Sequence, residues 1–385
     1  MAGLGNEKFE GLNRIQKFDY KIGTEIETIL SGHACDYEIG DCPVCDGCPV
    51  CDFCDFTEIR EYIIEVYNID PDELTDDRVC EICDRDRLWI DFICANCNPC
   101  ENCRETLPTW LEDLRKYIYD YYVDGSCGLE IDTIPFSSLR EYHKAVKELV
   151  NAIGTENIKI KDQCGGHINI SWELNTKDKT IKWYDYEKEI TYNLLYFADL
   201  LTYLCCSKYT KYRGEYKMIA DSYDEVFSRA LEKYHCIHIK SYAVEIRYPD
   251  SPKSVLDHLL LSAVNLSLSF ITHQIKDYKK EFETITTIYD KINLYGGKLN
   301  QKEKRYLRNK FKFLIKTIKP YIRIFSREVG IDLERALKFR MEYPRYEYGT
   351  LIKGKVKFTE ELFQIKKPKV FKSAENPRQT VLCKA

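Results

Sequence analysis

The chain has 385 residues, 44% of them hydrophobic and 13% aromatic, with 57 Lys/Arg against 62 Asp/Glu and a formal net charge of −5. That length and apolar content place it among globular proteins with room for two or three domains, and exclude a disordered or low-complexity chain. The charge is uneven: residues 276–385 hold 28 Lys/Arg and 13 Asp/Glu, a balance of +15, against −20 on residues 1–275. Such asymmetry suits either an internal electrostatic clamp or a polyanion-binding surface.

Residues 1–8 carry no basic stretch followed by an apolar one, so no signal peptide is expected and the expected location is cytoplasmic. Residues 21–28 read as a strand in which Ile22 and Ile26 face one way while Glu25 and Glu27 face the other. The two carboxylates are then about 7 Å apart along the strand. Taken alone, the stretch also fits a plain solvent-facing strand; a hard cation such as Mg²⁺ or Mn²⁺ would relieve the repulsion.

Residues 35–103 form a segment of their own, holding Cys35, Cys42, Cys45, Cys48, Cys51 and Cys54, then Cys80, Cys83, Cys94, Cys97, Cys100 and Cys103. A Cys-x-x-Cys pair puts two thiolates on one tight turn, and two pairs complete a tetrahedral site, so these thiols suit three structural Zn²⁺ ions. An iron–sulfur cluster is the alternative, since runs of Cys-x-x-Cys-x-x-Cys also suit a cubane. Disulfides are a third reading, in keeping with a Lys-, Ile-, Tyr- and Glu-rich composition of hyperthermophile type. Between the Cys clusters, residues 57–67 have helical spacing. The segment is expected to be an inserted lid, recognition module or docking surface.

Residues 107–123 read as a helix, with Leu107, Trp110, Leu111, Leu114, Ile118 and Tyr121 at three- and four-residue spacing. Asp124-Gly125-Ser126 turns the chain into a second strand, where Leu129 and Ile131 alternate with Glu130 and Asp132. Residues 137–153 form a helix with Leu139, Tyr142, Val146 and Val150 inward, closed by Gly154. A third strand alternates Ile168 and Ile170 with His167, Asn169 and Ser171. Cys127 and Cys164, beside these motifs, read as small buried side chains. Residues 184–208 and 224–234 are helical in pattern, and the polar stretch between carries Lys208, Lys211 and Arg213, suited to a phosphate or carboxylate or else to ordinary solvation. Residues 236–248 alternate again and deliver Glu245 and Arg247, and residues 249–252 are expected to cap the next helix. That helix, residues 258–272, is too short and too broken by Ser and Asn for a membrane span. From residue 275 onward the pattern is helical, with Lys and Arg interleaved with Tyr and Phe, fitting a solvated basic face or phosphate contact and stacking in a nucleic-acid site. The last twenty residues read as extended.

Four strands with one apolar and one ionisable face predict an α+β fold: a largely antiparallel sheet, helices on its apolar side and a polar ligand-binding face. The segments Gly23-Thr24-Glu25-Ile26-Glu27, Asp124-Gly125-Ser126 with Gly128-Leu129-Glu130-Ile131, Cys164-Gly165-Gly166-His167-Ile168-Asn169 and Val244-Glu245-Ile246-Arg247 stand in family order. Together they resemble the amidoligase and carboxylate–amine ligase branch of the glutamine synthetase–glutamate-cysteine ligase superfamily, over residues 15–34 and 104–255. The resemblance implies a glutamine synthetase-like catalytic domain from residues 1–34 and 104–275, with 35–103 inserted and 276–385 a basic helical region. It implies ATP-dependent amide formation through an acyl phosphate, with Mg²⁺ or Mn²⁺ held by Glu25, Glu27, Glu130, His167 and Glu245. Arg247 would meet the transferred phosphoryl group, Asn169 and Arg213 the nucleotide, and Asp124 the amine. Asn169 stands where many relatives carry a second His.

The substrates implied are a carboxylate and an amine, on a peptide, a protein or a modified nucleic acid. A different class of reading is a zinc-containing nucleic-acid-binding or assembly protein built on an inactive ligase-like scaffold, working through the Cys-rich segment and the basic C-terminal region. Salt-dependent nucleic-acid binding without ATP turnover separates the two.

Overall fold

The computed structural model describes residues 18–29, 64, 109–124, 128–160, 164–176, 179–212, 217–232, 235–349, 351–352 and 356–365. The twelve Cys of residues 35–103, Cys127, Arg213 and the last twenty residues lie outside them, and Asp124 is placed by its backbone alone.

In chain order the elements are β1 (Phe18–Glu27), β2 (Ile118–Asp124), β3 (Gly128–Thr133), α1 (Leu139–Ile153), β4 (Ile168–Asn175) and β5 (Thr180–Lys182). There follow α2 (Glu187–Cys205), α3 (Val226–Ala230), β6 (Ile237–Ile239), β7 (Val244–Ile246), α4 (Val255–Ser269) and α5 (Tyr278–Asn293). The chain then runs through α6 (Gln301–Val329), α7 (Leu333–Glu342), α8 (Arg345–Tyr348), β8 (Leu351–Ile352) and β9 (Val356–Lys357). The main sheet has the order β2-β3-β1-β4-β7-β6, with β5 beside β4, and all its ladders are antiparallel. An α+β fold with a largely antiparallel sheet is what the strand alternation predicted.

β1 is central because its two halves pair differently. Residues 18–24 run against β4, whereas Glu25, Ile26 and Glu27 run against Asp132, Ile131 and Glu130 of β3. Alternation then sends Ile22, Ile26, Ile131, Ile168, Ile170 and Ile246 to one face, where each is at most 1% exposed. Against that face lie α1 and α4: Thr24 Oγ1 reaches His258 Nε2 of α4 at 3.2 Å, and the same nitrogen lies 2.7 Å from Tyr142 Oη of α1.

α4 is buried on every side from Leu256 to Ser269, so its polar groups need internal partners. Tyr248 donates to Asn265 Oδ1 at 2.8 Å, Ser262 to Tyr142 Oη at 3.1 Å and Ser267 to the Ala263 carbonyl at 2.6 Å. At its start Asp257 takes a two-pronged bond from Arg340 of α7, at 2.6 and 2.7 Å. α6 packs outside α4 through Leu307, Phe311, Leu314, Ile318 and Phe325. A capping box starts it: Asn300 Oδ1 accepts from Glu303 N at 3.0 Å, and the Glu303 carboxylate accepts from Asn300 N at 2.6 Å.

Three expectations need correction. Residues 107–123 are not one helix: a 3-10 turn, Thr109–Tyr117, gives way to β2, because the Ile-, Tyr- and Val-rich end favours a strand once β3 offers its edge. Residues 249–252 do not cap α4, which begins after Ser254 and ends three residues earlier than expected. Instead they fasten the sheet: Ser251 donates to the Glu27 carbonyl at 2.8 Å, and Asp250 bridges to Gly165 and accepts from Ser207 N at 2.6 Å. Among the described residues of 224–234 the five-residue α3, after a 3-10 turn, takes the place of the longer helix. Among the described residues no helix is long and apolar enough to cross a membrane.

Candidate metal centre

The same register that builds the apolar face gathers ionisable groups on the other. Across the ladders Glu25 pairs with Asp132, Glu27 with Glu130, and Glu245 with both Asn169 and His238. The face is closed rather than solvated: Glu25, Glu27, Glu130, His167 and Arg247 are 4–8% exposed, and Glu245 is fully buried.

His167 enters just before β4 and is held there by backbone. Its carbonyl accepts from Glu25 N at 3.1 Å and from Thr24 Oγ1 at 2.6 Å, while the Gly165 carbonyl accepts from Glu27 N at 3.1 Å. Gly165 N–H in turn donates to the Glu27 carboxylate. Gly166 is required by close approach, since a Cβ there would lie 2.7 Å from the Asp250 carbonyl oxygen and 2.9 Å from Ser251 Cα.

The imidazole is the hub. Nδ1 lies 2.5 Å from Glu25 Oε2 and 3.2 Å from Glu245 Oε1, and Nε2 lies 3.5 Å from Glu27 Oε1. Burial opposes its charge, but the Glu25 carboxylate, helped by its hydrogen bond to the ring and by the Glu245 carboxylate beside it, outweighs burial and Arg247 and holds its pKa up at about 9. Burial pushes the Glu25 carboxyl up, yet His167 and Lys240 overcome that and the nearby Glu245 charge, leaving it below the usual range. Glu245 is held well below that range although burial opposes it, because His167 lies against it, His238 bonds to it and Arg247 lies close. Asp132 goes the other way: burial, then the Glu25 charge, raises it to about 7.

Two more cations complete the face. Lys240 Nζ lies 2.9 Å from Glu25 Oε1 and 3.2 Å from Glu245 Oε1, and Arg247 Nη1 lies 3.2 Å from Glu245 Oε2. Asn169 donates to Glu25 Oε1 at 2.9 Å, and His238 Nδ1 lies 2.9 Å from Glu245 Oε2.

Among the described residues, two overlapping triads could hold a metal ion: Glu25 with His167 and Glu245, and Glu25 with Glu130 and Asp132. In each, one ligand atom per residue lies within 4.8 Å of the others. Asp132 Oδ1, Asn169 Oδ1, Glu245 Oε1 and Arg247 Nε are buried without a hydrogen bond, and Glu245 Oε1 has its two cations at 3.2 Å in poor alignment for one. Orphaned acceptors beside crowded carboxylates are costly in a dry site, and a divalent ion with oxygen ligands satisfies them. The donor set of carboxylates and one imidazole therefore fits a divalent metal ion.

No family model matches the chain, and no curated protein matches it. Among solved structures, one titled "Apo GmaS without ligand" aligns at 12% identity with a TM-score of 0.36, covering 87% of this chain and 72% of that one. A likeness this slight fixes neither fold nor activity.

Of the residues singled out in the sequence, Glu25, Glu27, Glu130, His167, Asn169, Glu245 and Arg247 meet on this one face. Asp124 ends β2 opposite Gly128. Sequence reading assigned no role to Asp132, His238 or Lys240. The last two sit on β6 and its turn, where Ile237 and Ile239 alternate with them. The two-residue period that marked the other strands was there to find them.

Proposed function

We propose that the chain is an ATP-dependent carboxylate–amine ligase. The observation that carries this reading is the pair of triads, one buried and one half-open at Asp132, that share Glu25 on the polar face of an antiparallel sheet. The motif resemblance adds the reaction class. Glu25, Glu27, Glu130, Asp132, His167 and Glu245 would hold the divalent ion, which when bound neutralises phosphate charge.

The chain's own groups then have distinct tasks. A substrate carboxylate oxygen attacks the γ-phosphorus of ATP, the bond to the bridging oxygen breaks, and ADP departs. Arg247 meets the charge that develops on the phosphoryl oxygens, a task to which a planar guanidinium is suited. Its Nε is buried without a partner, which leaves a donor free for that role. The amine then attacks the acyl carbon and phosphate leaves, giving the amide. Asp124 orients the amine and takes its proton, and Asn169 and Arg213 contact the nucleotide. His167 has to release its second proton before it can serve as a ligand. The inserted Cys-rich segment carries structural zinc and works as a lid or recognition module.

ADP release by the purified protein with Mg²⁺ or Mn²⁺, across a panel of carboxylates and amines, tests this reading. Amine-dependent ADP formation that disappears in Glu245→Gln supports it; full activity in that variant refutes the metal assignment. One observation favours the second reading, an inactive scaffold: Lys240 and His167 already lie against both Glu25 and Glu245. No ATP turnover under any condition, with tight nucleic-acid binding, would establish it.

A further inference from the structure

The two faces of α6 differ completely. Inward go Leu307, Phe311, Leu314, Ile318, Tyr321 and Phe325, each buried. Lys310 goes inward as well, its Nζ 2.7 Å from Asp199 Oδ1 with both side chains inaccessible. Outward go Arg305, Arg308, Lys312, Lys316, Lys319 and Arg323, all exposed. Lys302 and Arg327 extend the row to either end, and its remaining exposed positions, Gln301 and Asn309, are uncharged.

At 100° per residue the eight basic positions fall within about a third of the helix circumference, so they form a stripe and not a scatter. The stripe is about 38 Å long at 1.5 Å per residue. Among the described residues none of the eight is ion-paired. The two acids of α6 are occupied elsewhere: Glu303 with Lys291 at 3.0 Å, and Glu328 with Ser138 at 2.8 Å. Glu334 of α7 is lowered by its bond to Lys338, and only then by the charges of Lys319 and Arg323. An ordinary solvated helix mixes both signs through i,i+4 pairs, whereas along this one no ion pair among the described residues offsets the self-repulsion.

We propose that this face of α6 docks the phosphate backbone of a double-stranded nucleic acid. Its length is close to one turn of duplex, about 34 Å. Half of the eight cations are arginines, whose fork matches phosphate oxygens. The acidic balance of residues 1–275 repels a polyanion elsewhere and focuses it here. A membrane surface is disfavoured because the exposed positions of α6 include no apolar residue to insert. A single-strand stacking platform is disfavoured too: of the aromatic residues of α6, Phe311, Tyr321 and Phe325 are buried, and Tyr306 and Phe313 are half-buried against the core, so none is exposed for stacking. Recognition is therefore of backbone, without base readout.

Fluorescence anisotropy of the full chain with labelled 30-base-pair DNA and RNA duplexes, between 50 and 300 mM salt, tests this. Binding is expected to weaken with salt on a log–log slope of about −0.9 per phosphate neutralised. A variant carrying Arg308→Gln, Lys312→Gln, Lys316→Gln and Lys319→Gln should bind at least about tenfold more weakly at 100 mM salt, its slope shallower by about 3 to 4. Its thermal unfolding midpoint should match that of a control with Lys144, Lys159, Lys188 and Lys280 changed to Gln, and the control should bind as the parent does. No duplex binding at 50 mM salt, equal weakening by control and stripe variants, or binding only to anionic lipid vesicles or to acidic protein, would overturn the proposal.

Discussion

The Lys240 ammonium lies 2.9 Å from Glu25 Oε1, bonded to the one residue that belongs to both candidate metal triads. A cation in that position stabilises the carboxylates in the absence of metal and competes with metal for them. Lys240→Met should raise Mn²⁺ affinity about tenfold, equivalent to 1.4 kcal/mol, as read by calorimetry. It should also lower the metal-free unfolding midpoint. Unchanged or weaker Mn²⁺ binding would show that Lys240 belongs to the working site and does not compete for it.

Metal removal gives a second test through linkage. Mn²⁺ at a hundredfold excess over its dissociation constant should stabilise the protein by about 2.7 kcal/mol, and a chelator should reverse the shift. Glu25→Gln, which weakens both triads at once, should abolish most of it. A full shift in that variant would place the ion elsewhere.

Gly166→Ala should both unfold more easily and bind metal less well. The new methyl would meet backbone of residues 250 and 251 at 2.7 and 2.9 Å, and backbone cannot step aside as a flexible side chain can. About 1–3 kcal/mol is expected from urea unfolding. Because His167 follows directly, the same shift moves the imidazole away from Glu25.

His258 makes stability depend on pH. Burial, then the charges of His143 and Arg345, lowers its pKa to about 3 against 6.5 for the free side chain. Between those values the unfolded chain binds a proton at this position that the folded chain refuses, so the contribution of His258 to stability rises with pH and is complete above about 6.5. A loss of a few kcal/mol is expected as pH falls from 6.5 toward 3, attenuated in His258→Gln. Identical pH profiles for the two proteins would contradict a neutral, buried His258.

Asp257→Ala should cost about 3–5 kcal/mol, because it strands the Arg340 guanidinium in a site where both side chains are at most 1% exposed. Arg340 also donates to the carbonyls of Tyr343 and Gly349, at 3.2 and 3.0 Å, so the end of α7 should loosen with it. Hydrogen exchange over residues 333–349 would report that loosening. An unchanged profile with lowered global stability would confine the effect to α4.

Two-residue alternation is a local property of the chain, and it was enough to mark β1, β3, β4 and β7 and to separate Glu25 and Glu245 from Ile22 and Ile246. Helical spacing did the same for α1, whose expected inward residues Leu139, Tyr142, Val146 and Val150 are all buried. Neither period says which strands are neighbours. Pairing depends on contacts between residues far apart in the chain, and it is the ladder order that brings Glu25 of β1 against Asp132 of β3 and delivers Lys240 from the β6 turn. β2 escaped for a related reason: spacing suited to a helix met an unpaired β3 edge, and the edge prevailed. The interleaved basic and aromatic residues of α6 were plain in the chain, but the apolar layer around α4 takes Phe311, Tyr321 and Phe325 inward, buries Lys310 against Asp199 and leaves eight basic residues to solvent. Local periodicity tells what each residue can face, and long-range packing chooses what it meets.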